Sequence, residues 1–183
     1  MLTHLTLRAA GYSQMPAHAG GFLSQEDFAV ADDFVLSRDT KVRQITWWGE
    51  GVADSASKQF KIRLFSDDQG QPGVLLLEIA HPSILKRKTG DFLIREGHEE
   101  ESLYPEFQYT AVFSHAFLAK AGVKYWVSVV NETANQWTWE VSGSQENLGV
   151  QRSIFADPVY GPWTLYDYNY PNTAFVIGPI RKH

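Results

Sequence analysis

The chain has 183 residues, of which 44% are hydrophobic, 14% aromatic and 20% charged, with a net charge of −5 at pH 7. That length suits one domain able to bury about two-thirds of its unfolded surface without covalent staples. The aromatic content excludes a disordered chain, the acidic balance argues against a phosphate-tracking nucleic-acid binder, and the absence of cysteine removes disulfides, thiolate-held zinc and thiol nucleophiles.

In chain order, residues 1–27 read as a weakly structured segment, because Gly11, Pro16, Gly20 and Gly21 interrupt any pattern. Met1 to Ala10 has no charged region followed by an apolar block, so it is not a recognisable secretory leader. Period-two alternation begins near Phe28 and defines one domain over 28–183. Val42, Gln44, Thr46 and Trp48 interleave with Arg43, Ile45 and Trp47. Phe60, Ile62 and Leu64 oppose Lys61, Arg63 and Phe65 in the clearest apolar-in, polar-out strand. Asp67-Asp68-Gln69-Gly70 and Gln71-Pro72-Gly73 are turn chemistry, and Val74 to Ile79 reads as a short buried strand. Lys86-Arg87-Lys88 and Glu99-Glu100-Glu101 bracket a hairpin or irregular excursion around Phe92 to Ile94. Phe107 to Phe113 and Val123 to Val130 alternate again, with a turn at Lys120-Ala121-Gly122. Phe117 to Ala121 has room for one helical turn. Trp137 to Val141, Gln151 to Phe155 and Thr173 to Ile177 complete the strands. About ten short strands with turns between them predict an all-β, antiparallel, jelly-roll-like β-sandwich. No run approaches the roughly 18 apolar residues of a membrane span, so no membrane insertion is expected.

Several motifs recur in a fixed order: Ala31-Asp32-Asp33-Phe34, Ile45-Thr46-Trp47-Trp48-Gly49, Asp67-Asp68-Gln69-Gly70-Gln71-Pro72-Gly73, Ala121-Gly122-Val123-Lys124-Tyr125-Trp126-Val127-Ser128 and Trp137-Thr138-Trp139. In that order the chain resembles bacterial secreted β-sandwich modules of the kind found in proteins with PEP-CTERM-type sorting tails. Asn172-Thr173-Ala174-Phe175 departs from the pattern, with Asn where those modules carry Asp. The resemblance implies a secreted or cell-surface sandwich and brings no established activity and no catalytic residues.

The aromatics carry the functional expectation. Pyranose rings stack on flat Trp and Tyr faces while neighbouring polar groups take the hydroxyls. Trp163, Tyr166, Tyr168 and Tyr170 form a Gly/Pro-bounded aromatic stretch, and Trp137 and Trp139 share one strand face. Either set stacks on a glycan or fills the sandwich. Asp32 with Asp33 and Asp67 with Asp68 are the densest short acidic pairs, hence the candidate ligands of a structural Ca²⁺; the alternative is a capped turn and a backbone-bonded pair. His-Glu-x-x-His and Gly-x-Ser-x-Gly are absent. Three readings result: a non-catalytic extracellular carbohydrate-binding module with a polysaccharide or glycan partner, a structural or adhesive surface domain with a protein partner, and a polysaccharide-active enzyme.

Overall fold

The computed structural model describes residues 11–25, 28–95, 102–133, 137–143, 151–153, 163–165 and 172–180. These contain strands β1 (Tyr12–Gln14), β2 (Pro16–Leu23), β3 (Val30–Val35), β4 (Thr40–Glu50), β5 (Phe60–Asp68), β6 (Gln71–Ala80), β7 (Ile84–Arg95), β8 (Ser102–Ala119), β9 (Lys124–Asn131), β10 (Thr138–Ser142), β11 (Gln151–Ser153), β12 (Trp163–Leu165) and β13 (Phe175–Gly178), with one 3₁₀ turn at Ala56–Lys58. The strands form two antiparallel sheets, so the chain is an all-β sandwich. One sheet has seven strands: β1-β13-β4-β10-β2, with β8 on the other side of β4 and β7 outside β8. The second has six, ordered β12-β11-β3-β9-β5-β6. Among the described residues no helix is long and apolar enough to cross a membrane.

Strand structure is already present at Tyr12, well before Phe28. β1 pairs with β13 and β2 with β10. The glycines that read as breakers permit close approach instead. A Cβ on Gly21 would collide with the Trp139 carbonyl and the Thr138 side chain, and one on Gly20 would lie 3.2 Å from the Ile94 carbonyl oxygen of β7. The seven-stranded sheet therefore curls until β2, at one end, meets the tip of β7.

Three other expectations change. Val74 to Ile79 belongs to an edge strand, not a buried one, with Val74 and Leu76 exposed. Opposite Leu64 and Phe65, β6 carries one extra residue, Leu76, so Leu75 turns to the face opposite Leu77 and Ile79. Phe117 to Ala119 continue β8, and the chain turns only at Gly122, whose φ of 69° suits glycine. In β4 the pairing with β8 shifts between Val42 and Gln44, which places Val42 on the same core face as Ile45 and Trp47. The excursion around Phe92 is the distal half of the β7–β8 hairpin.

An aromatic quartet joins the sheets. Trp47 of β4 stacks on Tyr109 of β8 at 5.7 Å and 16°, while Phe60 of β5 meets Trp137 edge-on at 4.9 Å and 85°. Phe60 also lies 5.3 Å from Trp47 and 5.0 Å from Tyr109. Such pairs contribute about 0.5–1.5 kcal/mol each beyond their burial. Polar tips are paired: the Tyr109 hydroxyl (2.7 Å) and the Trp137 indole N–H (3.1 Å) both donate to the Glu50 carbonyl. A second cluster of Ala29, Ala31, Phe65, Trp126, Val130 and Trp163 covers the opposite face of the six-stranded sheet.

Gly49 ties the quartet to the strand order, because a Cβ there would strike the Thr138 carbonyl and the Trp137 ring. Gly49→Ala is expected to destabilise the domain by about 1–3 kcal/mol in urea unfolding. Gly143→Ala, where a Cβ meets nothing within 4 Å, is expected to stay within about 0.5 kcal/mol of wild type.

Candidate functional site

Three of the six expected stacking residues are core. Trp137 is 1% and Trp139 0% exposed, and the Trp139 indole N–H donates to the Ala174 carbonyl at 3.0 Å. Trp163 is 8% exposed and packs edge-on against Phe65 at 5.6 Å. A sugar needs an open ring face, so none of these three is a platform. Tyr166, Tyr168 and Tyr170 lie outside the described residues.

The acidic pairs do not converge on a cation. Neighbours on a strand point to opposite faces. Asp32 therefore enters the sandwich, where its carboxylate accepts from the Thr173 N–H (2.6 Å), the Thr173 hydroxyl (2.9 Å) and the Asp33 N–H (2.8 Å). Asp33 faces the other way, against the Lys124 ammonium at 2.5 Å. Asp67 accepts from the Trp126 indole at 2.8 Å and from the Gly70 N–H at 3.2 Å, which caps the turn. Asp68 is exposed opposite Gln71. Lysine, hydroxyl, indole and backbone donors engage Asp32, Asp67 and one oxygen of Asp33, while Asp33 Oδ1 has no hydrogen-bond partner. Burial pushes the Asp32 carboxyl up to about 7 against its three donors, and it raises Asp33 against the pull of Lys124.

Two other places are built for contact. The first is an open cleft of about 550 Å³ lined by Lys58, Gln59, His81, Pro82, Ser83 and Ile84. His81 sits at a φ of 51°, rare for a residue with a side chain. Its ring is held at Nδ1, 3.2 Å from the Lys58 carbonyl, and Nε2 lies 3.4 Å from Glu132 without a hydrogen bond. Glu132 in turn holds Lys61 at 2.6 Å.

The second is a carboxylate–histidine cluster on the outer face of the seven-stranded sheet. Trp139 and Val141 of β10 point to the core, so Glu140 points out; Glu106 of β8 does likewise. Both glutamates are nevertheless 0% exposed. The Glu140 carboxylate accepts from the His18 backbone N–H at 2.8 Å, and Glu106 lies 2.8 Å from His18 Nδ1. Asp91 lies 3.6 Å from the same nitrogen. Two backbone irregularities deliver these groups. His18 has a φ of 55°. Asp91 follows Gly90, at 104°, in a stretch where β7 carries two extra residues opposite β8. Such bulges re-aim side chains. The Glu140 carboxyl is pushed up to about 9, by burial first and then by Glu106.

Sequence reasoning missed this cluster because its members lie 88 and 122 residues apart in the closest pairs. Two signals were available: a lone glycine, Gly90, inside a strand pattern, and an acid, Glu140, between two core residues.

These features define a two-sheet antiparallel sandwich with a buried acidic cluster on one outer face and an open polar cleft elsewhere. The chain belongs to DUF7901, a domain family of unknown function, which it matches over residues 10–177. No curated protein and no solved structure matches it.

The raised Asp32 carboxyl gives a pH dependence of known sign. The folded state holds this proton up to about pH 7 and the unfolded state releases it near 3.8. The contribution to stability is complete below 3.8 and is lost as pH rises toward 7. Urea unfolding at pH 4.5 and 7.5 should show Asp32→Asn, which cannot titrate, losing less stability across that interval than wild type.

Proposed function

We propose that the domain is a non-catalytic binding module acting outside the cell or at its surface, and that its ligand is a glycan segment. The observation that carries this reading is the open cleft beside the pinned His81. Sugars present hydroxyls and apolar C–H faces together. Pro82 and Ile84 offer apolar contact, and Lys58, Gln59 and Ser83 offer donors and acceptors around it. A ring hydrogen-bonded at Nδ1 loses less freedom when a ligand arrives. The strained backbone at His81 adds weight, since such strain clusters at ligand clamps. The resemblance to secreted sandwich modules supports the location. A second reading, an adhesive domain acting through protein contacts, draws on the exposed Val74 and Leu76 of edge strand β6.

The test is affinity electrophoresis against neutral and anionic polysaccharides, with product analysis of the same mixtures. Retardation by at least one polysaccharide, no released fragments, and about tenfold weaker binding by His81→Asn and Lys58→Ala are expected. Asparagine tolerates the left-handed backbone, so that variant removes the ring alone. A blank across the panel sinks the glycan reading. Retardation that both variants leave unchanged removes the cleft as its site.

A further inference from the structure

Glu106 and Glu140 raise a question that hydrogen bonding within the chain does not answer. Oε1 of Glu106 and Oε2 of Glu140 are both buried and have no hydrogen-bond partner. Glu106 is the neighbour that, after burial, does most to raise the Glu140 carboxyl. Among the described residues no lysine or arginine pairs with either glutamate. Buried carboxylates persist when they are paired or when they coordinate a metal. A charged His18 would pair with Glu106 and Asp91, yet one imidazolium offsets only one of three carboxylate charges. Asp91 brings a third negative charge to a pair that is already crowded, and a bulge around Gly90 puts it there. That placement makes electrostatic sense around a cation.

The distances agree. Ligand atoms of His18, Asp91 and Glu106 all lie within 4.8 Å of one another. Nδ1 of His18 is 2.8 Å from Glu106 Oε2 and 3.6 Å from Asp91 Oδ2. Around an ion bound at about 2.1 Å, neighbouring ligand atoms stand about 3.0 Å apart in octahedral and about 3.4 Å apart in tetrahedral geometry. His18 and Asp91 are about half exposed, at 48% and 53% of their side chains, whereas Glu106 is sealed. An ion can therefore enter from the rim and keep open positions there for water.

We infer that His18, Asp91 and Glu106 bind one divalent transition-metal ion through one imidazole nitrogen and two carboxylates, with Glu140 beside them holding the His18 backbone N–H. The mixed donor set selects Mn²⁺ or Zn²⁺. Ca²⁺ favours all-oxygen shells at longer distances and binds more weakly here. The ligands come from β2, β7 and β8, with Glu140 of β10 adjacent, so the ion would close the curled end of the seven-stranded sheet.

The test is thermal melting of the chelator-stripped, dialysed protein with Mn²⁺, Zn²⁺ or Ca²⁺, together with calorimetric titration. Mn²⁺ or Zn²⁺ at a hundredfold excess over Kd should raise Tm by about 5–10 °C, with one ion per chain and a smaller shift from Ca²⁺. His18→Asn keeps the left-handed backbone, and Asp91→Asn changes a half-exposed group. Both should melt normally in chelator and lose about tenfold or more in metal affinity. No shift with either transition metal overturns the site. A shift of wild-type size in both variants overturns it too, because the ion would then bind elsewhere. The wild-type shift and stoichiometry decide the matter even if a variant fails to fold.

Discussion

One backbone oxygen anchors much of this molecule. The carbonyl of Glu50, at the end of β4, accepts both the Tyr109 hydroxyl and the Trp137 indole N–H. A buried phenol or indole without a partner would cost about 1–3 kcal/mol each, so this acceptor is what lets two large rings close over Phe60 and Trp47. The adjoining segment is held just as firmly. Val52 donates its N–H to the Tyr109 oxygen, Gly51 donates to the Pro105 carbonyl, and the Lys86 ammonium of β7 reaches the Val52 carbonyl at 2.5 Å. Glu50 also stands directly opposite Glu106 in the β4–β8 register. The contact that seals the core thus sets where the buried carboxylate of β8 comes to rest.

The seven-stranded sheet keeps different chemistry on its two faces. Inside lie Trp47, Tyr109, Trp139 and Ile177; outside lie Glu106, Glu140 and the hydrogen-bonded pair Thr46–Thr110 at 3.0 Å. A flat sheet would leave those glutamates in water. Here β2 and the end of β7 fold over them, and burial raises the Glu140 carboxyl. Curvature, set by strand glycines and a bulge, decides their chemistry.

The amount readable in the sequence varied with the range of the interaction. The two-sheet architecture was legible because alternation is local: Phe60, Ile62 and Leu64 behave as their spacing predicts. Trp137 and Trp139 share a face, as expected, but whether that face is open depends on Phe60 and Phe175, which are remote in sequence. The N-terminal strands were hidden because Gly20 and Gly21 are conformationally ambiguous until β7 and β10 lie beside them. Asp32 and Asp33 looked like one acidic pair, and strand geometry split them between an interior threonine and an exterior lysine. The cluster around His18 needed four strands to be placed at once, which period-two reasoning cannot do.

The position of β13 bears on how the domain assembles. Residues 175–178 lie between β1 and β4, with Tyr12 opposite Ile177 and Trp47 opposite Phe175. Among the described residues β1 pairs with β13 alone, so it cannot dock until a strand far along the chain is available. Pairing across so much chain carries a loop-closure cost and slows folding. The seven-stranded sheet can be completed only once β13 is available, while the β5–β6 hairpin, with its short turn, can form from local contacts alone.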